Sequence, residues 1–393
     1  MRETTMREIY LDNSATTALS PAAKRAMTEA MEYYGNPSSL HSAGNRSKDL
    51  LERARREVAA TFGVRRPEAG ELIFTAGGSE GDNLAVLGTA FAKPRRRGGR
   101  VITTDSEHPG LENAMRVLEK EGFDVVRIPT KNGVLDLDRL AAALNEKTFL
   151  VSLMAVNNET GARYEIARAF EITKQYRDDI VTHTDAVQGY LRIPLCPKTI
   201  RADMVTVSAH KVHGPKGVGA LYVSPAALKR RDLVPILQGG GQENGFRSGT
   251  ENLVGIAGFA AAATEGFGAM QTNIAHMEHL RDLTETLLAD LPLRVNRPSG
   301  DRAPHILNLT VPNVRSETLL HALSARGIYV SNGSACSSHS AKPSAVLTAF
   351  GLPAADISSS IRVSFCESNT EEDVRALAEA LREEIARLVK INR

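Results

Sequence analysis

The sequence predicts an α/β fold, a mostly parallel sheet with helices on both faces, followed by a smaller α+β domain. Three observations predict it. Short apolar runs alternate with amphipathic helical patterns through the first half of the chain. One of these runs, FLVSLMAV at 149 to 156, is apolar at every position but Ser152, as a strand covered on both faces should be. The length, 393 residues, exceeds what one hydrophobic core usually serves, so two domains are expected.

The elements follow in order. RSKDLLERARREVAATF (46 to 62) repeats apolar residues on one helical face and stops at Gly63. ELIFT (71 to 75) is a short strand, and GGSEGDN leads from it into the helix LAVLGTAFA. RVITTD (100 to 105) is a strand, 110 to 121 a helix, and FDVVRIP the next strand. After FLVSLMAV come the strands IVTHTD (180 to 185) and ADMVTVSAH (202 to 210), and GALYV (219 to 223) reads as a hairpin return. These elements define a large domain over 15 to 258. Residues 262 to 291 form one long helical pattern suited to link domains. HILNLTV is then a strand, SETLLHALSARG a helix closing at Gly327, and SIRVSF another strand. Thr370 reads as the N-cap of a last helix, with Val374, Leu377, Ala378, Leu381, Ile385 and Leu388 on one buried face. The small domain is therefore 259 to 393, and residues 1 to 14 are expected to pack with it.

Composition narrows the function. Lys plus Arg number 48 against 46 acidic residues, a net charge of +2, which gives no support for direct binding of nucleic acid. The densest basic run, KPRRRGGR (93 to 100), reads as a solvated loop rather than a phosphate-backbone site. The three cysteines, Cys196, Cys336 and Cys366, show no CxxC spacing, so neither a disulfide framework nor a structural zinc is expected. No apolar run approaches a membrane span, and MRETTMREIY lacks the apolar region of a signal peptide. A soluble, cytoplasmic protein is expected. The dinucleotide fingerprint GxGxxG does not follow the first strand, and no P-loop occurs.

In an open α/β sheet, ligands bind beyond the carboxyl ends of the strands. Polar clusters stand at five such ends: GGSE (77 to 80), EH (107 to 108), NNETG (157 to 161), HTDAVQ (183 to 188) and SAHK (208 to 211). A packed core has no use for polar clusters there repeatedly. GGSE opens a helix, whose unpaired first amides suit a phosphate, with Gly77 and Gly78 permitting close approach and Ser79 adding a hydroxyl; the competing reading is a plain cap with Ser79 as N-cap. Asp185 is placed to keep a ring nitrogen protonated, Gln188 to donate to a ring hydroxyl, and His108 to stack on an aromatic cofactor or simply to be structural. In SAHKVHGPKG (208 to 217), His210 and His213 are three residues apart, but no further metal ligand is visible and no metal is expected. Lys211 is the alternative centre, since a desolvated lysine amine forms Schiff bases. Lys211, Asp185, His108, Gln188 and a phosphate cradle form the inventory that pyridoxal 5'-phosphate (PLP) requires.

With these stretches in view the chain resembles a cysteine desulfurase of the NifS/IscS type, in the class V aminotransferases. YLDNSATT, NPSSLHSAG, FTAGGSEGDN, VNNETG, HTDAVQ, SAHKVHGPKGVGALYV, GGGQENGFRSGTEN, SNGSACSS and IRVSF carry the resemblance over nearly the whole chain. It implies the PLP-dependent transferase fold type I and a homodimer that takes sulfur from L-cysteine, releases alanine and leaves a persulfide. It also implies roles. Lys211 would be the Schiff-base lysine, His108 would stack on the ring and shuttle protons, Asp185 would pair with the pyridine nitrogen, and Gln188 and Asn158 would approach the phenolic oxygen. Gly78, Ser79, Ser208 and His210 would cradle the phosphate, and Thr250 would reach that of the neighbouring subunit. Arg362 would clamp the substrate carboxylate, with Asn36 and Asn158 orienting the substrate. Cys336, in the Ser/Gly-rich stretch SNGSACSSHSAKPS, would attack the substrate sulfur from a loop and carry the product away.

Cys196 and Cys366 read instead as buried small hydrophobes. Three stretches depart from the family pattern: GARYEIARAF after Asn158, Ala341-Lys342-Pro343 after the cysteine, and Asn332 before the loop glycine. The rival readings are a selenocysteine lyase or a related PLP-dependent aminotransferase, neither of which needs Cys336 in the same way. The sulfur acceptor, an iron–sulfur scaffold or a tRNA-thiolation protein in such a family, carries no signature here.

Overall fold

The computed structural model describes residues 7–332 and 343–391. After a two-residue strand β1 (Ile9–Tyr10), seven strands build the central sheet: β2 (Leu72–Thr75), β3 (Arg100–Thr104), β4 (Asp124–Ile128), β5 (Thr148–Met154), β6 (Val181–Asp185), β7 (Met204–Ser208) and β8 (Gly219–Val223). Their order across the sheet is β2–β8–β7–β6–β5–β3–β4. All neighbouring pairs are parallel except those of β8, which runs against both β2 and β7. GALYV is thus a return strand, as its place after SAHKVHGPKG suggests.

Alternation along the strands divides the core in two. Val101, Leu150, Met204 and Leu221 face one apolar layer with Leu84, Leu111 and Met115. Ile102, Val151, Val205 and Tyr222 face the other with Leu51, Val58 and Phe259. Strands β5 to β8 are buried at every position; apolar residues run together in β5 and β8, whereas β6 buries the polar Thr182, His183, Thr184 and Asp185.

The parallel register aligns strand ends. Met154 pairs with Asp185, and Asp185 pairs with Thr206, two residues before the end of β7. The carboxyl ends of β5, β6 and β7 therefore open side by side.

The smaller α+β part holds β9 (Arg294–Val295), β10 (Ile306–Thr310), β11 (Ile328–Tyr329) and β12 (Ser360–Ser364). An antiparallel sheet runs β12–β10–β9, and β11 pairs in parallel with β1. Ile9 and Leu11 join Leu309, Ile361 and Val363 in its apolar core. The helix Glu371–Ile391 covers that core with the face read from its spacing: Val374, Leu377, Ala378, Leu381, Ile385 and Leu388 are all buried. Thr370 Oγ1 accepts the Asp373 amide at 3.3 Å, the expected N-cap.

Several boundaries differ from the sequence reading. The pattern at 262 to 291 is two helices, Leu253–Gly268 and Met270–Leu287, bent by 75°. The first buries Ile256, Phe259 and Ala260 in the large core, whereas the second sends Met277 and Leu280 into the small one. A straight helix cannot serve both, and the chain turns at Ala269 (φ −103, ψ 6). The helix expected from 46 starts at Ser42, because His41 Nδ1 accepts the Gly44 amide at 3.2 Å. The helices Pro21–Ala30, Leu137–Ala143 and Ile166–Tyr176 escaped the sequence reading, the first two being short.

Candidate active site

A cavity of about 290 Å³ lies where β5, β6 and β7 end. Its walls bring together Gly78, Ser79, His108, Asn158, Asp185, Gln188, Ser208, His210, Lys211 and Arg362, residues from all five polar clusters and from β12.

The floor is the start of the helix Gly78–Phe91. Gly77, not Ser79, is its N-cap, with φ 149 and no side-chain cap, so the reading of Ser79 as cap is corrected. Gly219 lets β8 pass close to Gly77: a Cβ on Gly219 would lie 2.8 Å from Gly77 Cα. A Cβ on Gly78 would lie 2.6 Å from Val187 Cγ2, so only glycine keeps this helix start against the β6 end. Ser208 Oγ, facing the same space, is buried without a hydrogen-bond partner among the described residues. Helix-start amides beside an unpaired hydroxyl suit an anionic group.

Lys211 stands on the turn after β7, and its Nζ donates to Ser14 O at 2.7 Å and Ala15 O at 2.8 Å. The N-terminal stretch YLDNSATT thus meets SAHK, although nearly 200 residues separate them. His210 Nδ1 lies 3.2 Å from Thr16 Oγ1; burial, then the charges of Lys211 and Lys216, bring its pKa down to about 4, leaving it neutral. His108 caps the helix Pro109–Lys120, its Nδ1 accepting the Gly110 amide at 3.1 Å. That bond leaves the neutral ring's proton on Nε2, and burial holds the pKa below the usual imidazole value.

Asp185 accepts the Val187 amide at 2.8 Å. Burial raises its pKa, while His108 and Lys211 pull the other way. Two further carboxyls stand near it. Burial, and then Asp185, push Asp82 well above the usual carboxylate range. Burial likewise pushes Glu107 up to about 8, with Thr104 Oγ1 donating to it at 2.7 Å. Of the three, Asp185 alone has a cationic neighbour, Lys211, to favour its charge. The sequence reading missed Asp82 as a wall residue; its place one helical turn after Ser79 is the signal that could have found it.

Gln188 Nε2 donates to Ser14 O at 2.9 Å, and its Oε1 is 3.3 Å from His305 Nε2. Asn158 Oδ1 is buried with no partner among the described residues. Arg362 is 2% exposed. Its Nη1 donates to Asn158 O and its Nη2 to Asp12 Oδ1, both at 2.7 Å, which fixes the guanidinium plane at the cavity wall. Asp12 carries no signal of this in the sequence.

Two expected residues do not line this chain's cavity. Asn36 is exposed, with its Oδ1 accepting the Ser38 amide at 2.9 Å, and Thr250 is exposed on the loop before the helix Leu253–Gly268. Cys336 lies outside the described residues. The chain on either side of that stretch is anchored at the cavity. Ser331 exchanges backbone hydrogen bonds with Arg362, and Ser344 Oγ donates to the wall residue Glu159 at 2.7 Å. Of the cysteines read as small hydrophobes, Cys366 is buried but sits among polar groups, and Cys196 is only partly buried.

Residues 9–377 match the family of class-V aminotransferases. The chain is 42% identical over 388 residues to a cysteine desulfurase of Trichormus azollae, covering 98% of this chain and 94% of that one. Among solved structures, a NifS-like protein superposes with a TM-score of 0.89 at 34% identity, over 97% of this chain and 100% of that one. A NifS-like protein from Rickettsia africae does so with 0.85 at 32% identity, over 97% and 99%.

Proposed function

The chain belongs to the class V aminotransferases, among their NifS/IscS-type cysteine desulfurases, and from that premise we propose the part that each residue plays. Pyridoxal phosphate is the cofactor, and the reaction converts L-cysteine to L-alanine with the sulfur left as a persulfide. Bound in the cavity, pyridoxal phosphate supplies an electron sink for negative charge developing on the substrate's carbon atoms.

The observation that carries the assignment is that Lys211, Asp185, His108 and Arg362, from four separate segments, face one cavity. Lys211 would hold the cofactor through its amine. The amides at Gly78 and Ser79, the unpaired Ser208 hydroxyl and His210 would hold the phosphate. Asp185 would keep the ring nitrogen protonated, helped by its neighbours: Asp82 and Glu107 are pushed toward their neutral forms, so the negative charge stays on Asp185. Gln188 and the unpaired Asn158 amide would face the phenolic oxygen. His108, whose neutral form burial favours, would stack on the ring and move the proton at the substrate's α-carbon.

Arg362 would receive the substrate carboxylate on its fork, already oriented by Asn158 and Asp12, with Asn36 orienting the substrate. Members of the family act as homodimers on L-cysteine. The exposed position of Thr250 supports a role across that dimer, at the neighbouring subunit's phosphate.

Cys336 would be the nucleophile. It stands five residues after Ser331, which pairs with Arg362. Its thiolate attacks the substrate sulfur. A sulfur–sulfur bond forms, the Cβ–S bond breaks with its electron pair left on carbon, and a proton returned to that carbon completes alanine. A reducing compartment keeps the attacking thiol free of disulfides, which supports a cytoplasmic enzyme that passes its sulfur directly to a protein acceptor, an iron–sulfur scaffold or a tRNA-thiolation protein.

The test is release of alanine and sulfide from L-cysteine with a thiol reductant, comparing the protein with Cys336→Ala after recording both absorption spectra. Retained cofactor absorption with lost turnover supports the assignment. Unchanged turnover in Cys336→Ala rules out Cys336 as nucleophile and directs attention to selenocysteine and to amino-acid/keto-acid pairs.

A further inference from the structure

His213 lies two residues beyond Lys211 but does not line the cofactor cavity. It sits in the left-handed region at φ 64, a conformation uncommon for a residue with a Cβ. Thr17 Oγ1 accepts its amide at 2.7 Å, and its Nδ1 is 2.8 Å from Ala18 O. A carbonyl oxygen only accepts, so Nδ1 carries the proton. In the neutral ring, Nε2 then presents a lone pair. That atom is buried and makes no hydrogen bond among the described residues, although Glu367 Oε2 is only 3.1 Å away. It points between two groups rather than at one. The second group is Cys366, 2% exposed, and the nitrogen, the sulfur and a carboxylate oxygen lie within 4.8 Å of one another.

We propose that His213, Cys366 and Glu367 form a binding site for a divalent cation of the zinc class, separate from the cofactor cavity. Imidazole nitrogen, thiolate sulfur and carboxylate oxygen form a donor set that zinc accepts, and three protein ligands leave a fourth position for water. Bonds of about 2.0–2.3 Å put tetrahedral ligand atoms roughly 3.3–3.8 Å apart, so a contraction within side-chain reach closes the site.

Each ligand also has an orienting partner, as metal ligands usually do. Ala18 O holds the His213 tautomer, Ser368 Oγ lies 3.1 Å from Cys366 Sγ, and Arg192 Nη1 donates to Glu367 Oε2 at 2.8 Å. Asn369 Oδ1 accepts the Cys366 amide at 2.9 Å and sets the turn after β12. Charge is consistent with exchange of a proton for a metal: against burial, Cys366 and Glu367 raise the His213 pKa to about 9, and a divalent ion facing the thiolate, the carboxylate and the Arg192 guanidinium would take the place of that ring proton. The Glu367 side chain is 31% exposed, which provides an entry path. The sequence reading set the pair His210 and His213 aside and expected no metal. His210 turns to Thr16 in the cavity, and the partners of His213 come from the segment after β12.

Arg192 extends the consequence. Its Nη2 donates to Lys211 O at 3.3 Å, so the cluster is linked to the turn that carries the reactive lysine. Occupancy would stiffen that turn and raise the melting temperature with the logarithm of zinc concentration above the dissociation constant.

The experiment is equilibrium dialysis of the full-length holoprotein against zinc, with metal analysis and thermal melting. Cys336→Ser is used as the parent, to remove the other candidate thiol. One retained zinc per chain and a raised melting temperature are expected. Adding Cys366→Ser, or separately His213→Gln, should weaken retention by well over about tenfold, since even losses outside the ligand set cost that much. The pair of variants guards against one failing to fold, checked by its cofactor absorption. No zinc retained by the parent overturns the site and leaves a His213–Glu367 ion pair only. Equal retention in the parent and both variants places the metal elsewhere and also overturns it.

Discussion

Arg362→Lys tests the substrate seat most directly. The guanidinium makes two bonds of 2.7 Å in different directions, to Asn158 O and to the carboxylate of Asp12, from a side chain 2% exposed. A lysine ammonium keeps the charge but is a single point on a flexible stem, and it cannot span both acceptors while offering a fork to a carboxylate. At least one charge-assisted bond is lost, worth about 1.5–3 kcal/mol. At 1.4 kcal/mol per factor of ten, kcat/KM for L-cysteine should fall about 10- to 100-fold. On the proposed role the fork would bind the substrate carboxylate throughout the reaction, so most of the loss should appear in KM. The assay is initial alanine formation over a range of L-cysteine concentrations with reductant, normalised to bound cofactor by absorbance. A folded, cofactor-loaded Arg362→Lys protein with kcat/KM within about twofold of the parent would refute the role given to the fork.

Other outcomes follow from single contacts. Gly78→Ala puts a Cβ 2.6 Å from Val187 Cγ2, and overpacking of that kind costs about 1–3 kcal/mol; a lower melting temperature and weaker cofactor retention are expected, and wild-type cofactor titration would contradict the cradle. Arg55 and Glu243 form a buried bidentate pair at 2.6 and 2.9 Å beneath the loop that carries Thr250, so Arg55→Met should cost about 3–5 kcal/mol in denaturant unfolding; a loss under about 1 kcal/mol would show that the pair is dispensable. Glu107, raised by burial to about 8, binds its proton more tightly folded than unfolded. Its contribution is full below about pH 4.5 and is lost as pH rises through about 8, a swing of roughly 5 kcal/mol at most. Glu107→Gln should flatten that alkaline loss in pH-dependent melting, and an unchanged profile would mean that Glu107 does not hold the proton.

The sequence alone determined what is local. Period and burial of the strands are legible in FLVSLMAV and its neighbours, and the face of the last helix is read from Val374 to Leu388, because side-chain direction follows from backbone geometry a few residues at a time. Nine of the wall residues named from the sequence lie in the polar clusters at the strand ends, since in a parallel sheet those ends must lie on one edge. Tertiary structure decided what depends on strand order and on partners far along the chain. Only the placing of β8 between β2 and β7 brings Gly219 against Gly77. Only folding puts Asp82 and Glu107 beside Asp185, or Asp12 on Arg362, and a carboxyl's charge state is a property of those neighbours rather than of its own stretch. The helical pattern over 262 to 291 broke at Ala269 for the same reason: two cores compete for one amphipathic run, and which core each half faces is settled by the rest of the chain.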